Sequence, residues 1–318
     1  MIPCTEYNKT HLVKYYLITE WSDIPKISRE MEPNWLFRGQ SNAKWKLTTS
    51  LERKAGSSIA DSENRKILEC IRSATNYFPQ PLPAATDYYA WLSLLQHHGV
   101  STRLLDVTSS ILVALFFALI DLKENEDACL WCIHPKVINF YFYNDLLAVS
   151  NPGHGIPLER LPEFTPAFAE NQTAGIALAN EYIYHAGQPS FISVPPNYKF
   201  DREKIVERYR RGGFLILPPQ FQTKRSLAQQ ASFLFPINPE MSFERNMIGM
   251  LDIADPPQSL DDLCFISEEA RRMKYSFFLS KFIIPFSLKN SFLHELKKAN
   301  VTYLTLFPDL YGFTKTLS

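Results

Sequence analysis

The chain has 318 residues, of which 46% are apolar and 14% aromatic, and its 33 Lys+Arg balance 33 Asp+Glu for a formal net charge of zero. That balance excludes a global field drawing the protein to nucleic acid or to an anionic membrane, so any such attraction has to be local. The longest apolar run, Ile111 to Ile120, has ten residues, half of the roughly 20 that a membrane-spanning helix needs, and no membrane association is expected.

In chain order, Met1 to Thr10 lacks the charged-then-apolar layout of a secretory leader. The five cysteines are odd in number and widely spread, so a reducing, cytoplasmic location is expected. Alternation over Asn34 to Gln40 predicts a strand with Trp35 and Phe37 on one face and Leu36 and Arg38 on the other. An extended pattern resumes at Trp45 and Leu47. Ser62 to Phe78 has helical spacing and is stopped by Pro79, Pro81 and Pro83. A second helix is expected with Asp87 as its N-cap and Gly99 just past its end. A third, very apolar helix is expected from near Thr108 or Ser109 to Lys123, capped by Asp106 or Thr108. Ala128 to Ile133 reads as a buried strand. It carries Cys129 and Cys132 at metal-ligand spacing, but no second pair is nearby and no metal is expected. Prolines, glycines and weak periodicity mark residues 140–190 as an insertion or lid within a single domain, 1–318. Strands follow at Phe214–Leu217 and Phe233–Ile237, and the tail reads as strand Lys281–Pro285, helix Leu288–Ala299 and strand Thr302–Phe307. The fold class is α+β, with mixed or antiparallel sheets and flanking helices.

The densest chemistry lies in Gln96–Thr108, where two histidines, an arginine, an aspartate and three hydroxyls are wedged between apolar segments. Polar groups at the rim of a core are costly to bury unless they pair or serve a site. On the Asp87 helix, His98 shares a face with Trp91, Leu94 and Leu95, which reads as core, whereas His97 falls on a more polar face. Arg103 and Asp106 are explained equally well as a structural ion pair or as part of an anion site. Arg38 is followed by Gly39, which permits close backbone approach or a positive φ, and its planar fork suits phosphate or carboxylate. Its bland explanation is a buried pair with an acid such as Asp106. Two segments are locally charged: Lys199 to Arg225 holds eight basic and three acidic residues, and Glu240 to Glu269 eight acidic and one basic. Two solvated surfaces account for them, and so does a positive groove for phosphates.

Phe37-Arg38-Gly39-Gln40, with Trp45-Lys46-Leu47 and Ser50 to Arg53, resembles the opening motif of the FRG-domain family. Leu95 to Thr108 resembles that family's second motif, Arg225 with Gln229 and Phe233 its third, and Thr305 to Gly312 its ending. His98, Val107 and Ala231 depart from the family's usual aromatic, tryptophan and glycine. The order of these motifs is in turn similar to the ADP-ribosyltransferase layout, which implies a split sheet and NAD as a substrate. By that resemblance Arg38, Gly39, Gln40, Ser101, Thr102 and Arg103 are cofactor-binding, and Arg38, His97, Asp106 and Gln229 are catalytic. It also implies a toxin or phage-defence effector acting on a nucleic-acid or protein acceptor, the former held by Arg208, Arg210 and Arg211, and restrained by an antitoxin or inhibitor protein. One departure matters for chemistry. No acid stands between Glu207 and Glu240, so the late glutamate of that layout is replaced by Gln229 or Gln230. A glutamine cannot supply the negative charge that stabilises an oxocarbenium-like state, which leaves that role to Asp106. A non-catalytic nucleotide-, nucleic-acid- or protein-binding module and an NAD glycohydrolase are the alternatives.

Overall fold

A computed structural model describes residues 2–3, 13–31, 35–54, 59–77, 82–135, 167–186, 188–193, 201–220, 223–250 and 279–317. Its strands are β1 (Ile2–Pro3), β2 (Val13–Leu17), β3 (Leu36–Gln40), β4 (Leu105–Thr108), β5 (Ala128–Ile133), β6 (Phe214–Leu217), β7 (Ala231–Pro236) and β8 (Leu279–Ile284). They form one mixed sheet in the order β1-β2-β8-β5-β3-β4-β7-β6. β2 and β8 run parallel and every other neighbouring pair antiparallel.

The helices are α1 (Asp23–Glu30), α2 (Ser50–Lys54), α3 (Ile59–Ser73), α4 (Tyr88–His97), α5 (Ile111–Leu119), α6 (Ala167–Tyr184), α7 (Arg202–Arg211), α8 (Lys224–Ala228), α9 (Phe243–Gly249), α10 (Lys289–Lys298), α11 (Tyr303–Leu306) and α12 (Leu310–Lys315). Period-2 alternation sends the strand side chains to opposite faces. Cys129, Trp131 and Ile133 join one apolar core with residues of α3, α4, α6, α7 and α9. Ala128, Leu130 and Cys132 join a second core with α1, α5 and α10. The sheet is thus buried on both faces, as expected for the predicted α+β class. Cys129 and Cys132 point to opposite sides of it and cannot share a ligand.

One join in the sheet is weak. β3 and β4 meet at a single residue pair, Phe37 with Thr108, whereas β3 pairs with β5 over five residues and β4 with β7 over four. Beyond Phe37 the two strands have no backbone ladder, and the sheet opens into a seam.

Several expected elements need correction. Asp106 and Thr108 lie in strand β4 and cap no helix; Ser110 is the N-cap of α5 and accepts from the Val113 N–H at 3.3 Å. The strand expected at Thr302–Phe307 is helix α11, because Thr302 and Thr305 form a reciprocal capping box. Trp45 and Leu47 lie in a loop. α3 starts and stops earlier than expected and continues as a single turn at Ala74–Asn76. In the stretch 140–190, residues up to 166 lie outside those described, and α6 buries Leu178, Ala179, Tyr182 and Ile183 against the first core.

Candidate functional site

The seam between β3 and β4 is the floor of a cleft of about 930 Å³, walled by the loop after β3, the end of α4, the start of α5, and α8. That volume is at the upper end of the range for small-molecule sites. Five cations line it (Arg38, Lys44, Lys46, Arg53 and Arg225) against one carboxylate, Asp106.

Arg38 is placed by alternation on β3, and its guanidinium bridges the seam where the ladder is missing. Nη1 donates to the Asp106 backbone carbonyl at 2.6 Å. The expected pairing of Arg38 with the Asp106 carboxylate is therefore replaced by a bond to its backbone. Among the described residues the Arg38 Nε is buried with no partner. Burial pulls the Arg38 pKa below its ordinary value, Asp106 opposes this, and the neighbouring Arg53 adds to it. The side chain remains a cation, and an anion in the cleft would satisfy it.

Gly39 serves packing. A Cβ there would sit 1.9 Å from the Ala114 carbonyl oxygen and 2.6 Å from the Ala118 nitrogen of α5. The missing side chain lets the helix lie directly on the strand, and no positive φ is involved. Gln40 touches the cleft but is already committed: its Oε1 accepts from Trp131 Nε1 at 2.7 Å and its Nε2 donates to the Lys46 carbonyl at 3.2 Å.

α4 ends where the sequence placed its end. Asp87 accepts from the Ala90 N–H at 3.1 Å. At the other end Gly99 takes φ 78°, with Gly99 N–H bonding the Gln96 carbonyl and Val100 N–H the Leu95 carbonyl, both at 3.0 Å. The assignment of His98 to the core is corrected: it is the C-cap residue, outside the helical repeat, and is exposed. His97 is half-buried and lines the cleft. Burial, then His98 and Arg225, lowers its pKa, so at neutral pH it offers one donor and one acceptor.

Ser101, Thr102 and Arg103 are buried and do not line the cleft. Arg103 pairs with Glu63 rather than Asp106. Its Nε donates to Glu63 Oε2, its backbone N–H to Glu63 Oε1 at 2.8 Å, and its guanidinium lies 5.1 Å from the Phe235 ring centre. Thr102 acts one step back: its Oγ1 donates to Gln96 Oε1 at 2.5 Å, and Gln96 Nε2 donates to Asp106 Oδ2 at 2.8 Å. This chain fixes which way the Gln96 amide points and where the exposed Asp106 carboxylate stands. Gln96 was not singled out as a site residue, although it lies one position before the two histidines.

The opposite wall comes from α8 and the tail. Arg225 is stacked on the Phe307 ring at 4.2 Å. Gln229 Nε2 donates to the Leu306 carbonyl at 3.1 Å, and the Gln229 carbonyl accepts from Thr108 Oγ1 at 2.7 Å. The structure thus brings Arg38, His97, Asp106 and Gln229 to one cleft, and adds Lys44, Lys46, Arg53 and Arg225. The basic segment in α7 is elsewhere: Arg208 is buried and donates to the Gly249 carbonyl at 3.0 Å, and Arg211 pairs with Glu207 at 3.4 Å. Most of the acidic segment, 251–269, lies outside the described residues.

Burial pushes the Cys129 thiol up to about 11 and that of Cys132 further still, so neither is a nucleophile at neutral pH. Among the described residues no cluster of three metal-ligating side chains is present, and no helix is long and apolar enough to cross a membrane.

Residues 33–127 match the family model of the FRG domain. The match includes β3, α4, β4 and α5, and with them Arg38, Gln96, His97 and Asp106; Arg225, Gln229 and the tail lie beyond it. No curated protein and no solved structure matches the chain.

Proposed function

We propose that this chain, with its FRG domain, binds NAD by its diphosphate in the seam cleft and transfers ADP-ribose from it to an acceptor. The observation that carries this reading is the state of Arg38. Its guanidinium is held across the seam by Asp106, keeps a buried unpartnered Nε, and stands in a cleft where five cations face one carboxylate. A cation so fixed and short of counter-charge is built for an oxyanion, and Arg53 and Arg225 are placed to share the load.

In the reaction the bond between nicotinamide nitrogen and the ribose anomeric carbon breaks, and the electron pair leaves with nicotinamide. The acceptor's nucleophile bonds to that carbon and gives its proton to Asp106. The Asp106 carboxylate also faces the positive charge that develops on the ribose. Gln96, itself held by Thr102, positions it, while His97 and Gln229 supply neutral donors and acceptors for ribose or nicotinamide. Such an enzyme drains NAD from its own cell, which is the ground for a toxin or defence role and for an inhibitor partner. A second reading, a nucleotide-binding module without turnover, is favoured by the lack of a second carboxylate in the cleft.

Labelled NAD incubated with the wild type and with Arg38→Ala separates these readings. Transfer predicts nicotinamide release that falls at least about 100-fold in the variant. Binding of ADP-ribose that weakens in Arg38→Ala, with no release in either protein, supports the module instead.

A further inference from the structure

The cleft holds more positive charge than its proposed substrate balances. The diphosphate of NAD carries about two negative charges, one per phosphate, and Arg38, Arg53 and Arg225 already outnumber them. Lys44 and Lys46 are left over, on the loop that forms the outer wall. Both are exposed, and Lys46 also reaches Glu244 at 3.4 Å. Between them stands Trp45, 52% exposed.

The loop that carries this tryptophan is pinned. The Ala43 N–H donates to the Asp127 carbonyl at 2.6 Å, and the buried Lys281 Nζ donates to the Ala43 carbonyl at 2.6 Å. The Lys44 N–H donates to Asn42 Oδ1 at 2.8 Å, and the Lys46 carbonyl accepts from Gln40. A large aromatic displayed on a rigid support and flanked by two lysines offers a π-face at little ordering cost, with cations beside it for a backbone.

We propose that the Lys44-Trp45-Lys46 wall is a binding platform for single-stranded nucleic acid, and that this strand is the acceptor. One base stacks on Trp45 and the adjoining phosphates lie on Lys44 and Lys46. A duplex presents no free base face, so the platform selects unpaired strand. The strand, rather than an acidic protein, is favoured because the lysines flank an aromatic face and not a row of amide donors. Binding is a property of the wall alone; the role of acceptor rests on the transferase reading.

The test is fluorescence anisotropy of a labelled 12-nucleotide oligo-U and oligo-dT with the full chain at low salt and no NAD. Unlabelled duplex and heparin serve as competitors. Trp45→Ala is expected to weaken binding tenfold or more and Trp45→Phe to restore most of it. Lys44→Ala with Lys46→Ala should lower the slope of log affinity against log salt by about two. Because Trp45 is exposed, these variants should melt with the wild type, and a matched circular-dichroism melt confirms it. Absence of oligonucleotide binding, equal binding by Trp45→Ala, or equal competition by duplex or heparin overturns the platform. If the platform stands, labelled NAD with the oligonucleotide tests the second half: label on the oligonucleotide supports the acceptor role, and label released only as free ADP-ribose overturns it. Failure of all NAD turnover with Trp45-dependent binding intact sinks the transferase reading and leaves the platform standing.

Discussion

The loop that presents Asp106 hangs on a buried ion pair, and removing Arg103 should show how much. Arg103 and Glu63 are each 1% exposed. Arg103 gives Glu63 two hydrogen bonds and reaches the Ile237 carbonyl at 3.4 Å. Arg103→Met keeps most of the packing stem but leaves the Glu63 carboxylate buried beside a single backbone N–H. Stranding one member of a buried pair costs about 3–5 kcal/mol. In a chain of this size each kcal/mol moves the melting temperature by roughly 2 °C, so the expected drop is roughly 6–10 °C. Glu63→Gln added to Arg103→Met removes the stranded charge and keeps an acceptor for the backbone N–H at 103, and should recover at least half of the loss. The assay is thermal and urea unfolding of wild type, both single variants and the double variant, read as a double-mutant cycle. A cost below about 1 kcal/mol for Arg103→Met, or a double variant no better than the sum of the singles, refutes the reasoning.

Gly39→Ala should destabilise the fold by about 1–3 kcal/mol or more, since the added methyl collides with the α5 backbone. ADP-ribose affinity of the folded fraction should be preserved; a variant as stable as wild type that has lost the ligand would show that the glycine serves binding. For His97 the sign follows from its lowered pKa. A bound phosphate favours the protonated ring, so binding takes up a proton and affinity for ADP-ribose should rise as pH falls through the region below the ordinary value of about 6.5. His97→Gln should flatten that rise in a calorimetric titration from pH 7.5 to 5.5, and an unchanged profile removes His97 from the site.

Strong local signals were legible in the sequence. The unbroken apolar run of β5, the Asp87 cap and Gly99 past α4 each have one physical explanation, and the structure has them there. Strand β4 was missed because Leu105–Thr108 is four residues long and runs into the apolar α5, so Asp106 and Thr108 looked like helix caps. His98 was misplaced by continuing a helical face one residue past the point where the helix ends. The Arg103 pairing depends on Glu63, forty residues upstream, and no local pattern reports a partner at that distance. Arg38 and His97 stood out by their neighbours, whereas Lys44, Lys46 and Arg53 look like any surface cations until the fold turns them into one cleft. Gln96 was overlooked because its role is to orient Asp106, which only the hydrogen-bond chain through Thr102 reveals.

The most direct test of the central claim is nicotinamide release from saturating NAD by the wild type and by Asp106→Asn, with ADP-ribose binding measured on both. Removing the only carboxylate that lines the cleft while keeping its shape should cut release by about 100-fold or more and leave binding within about threefold. Release by Asp106→Asn at the wild-type rate would contradict the account.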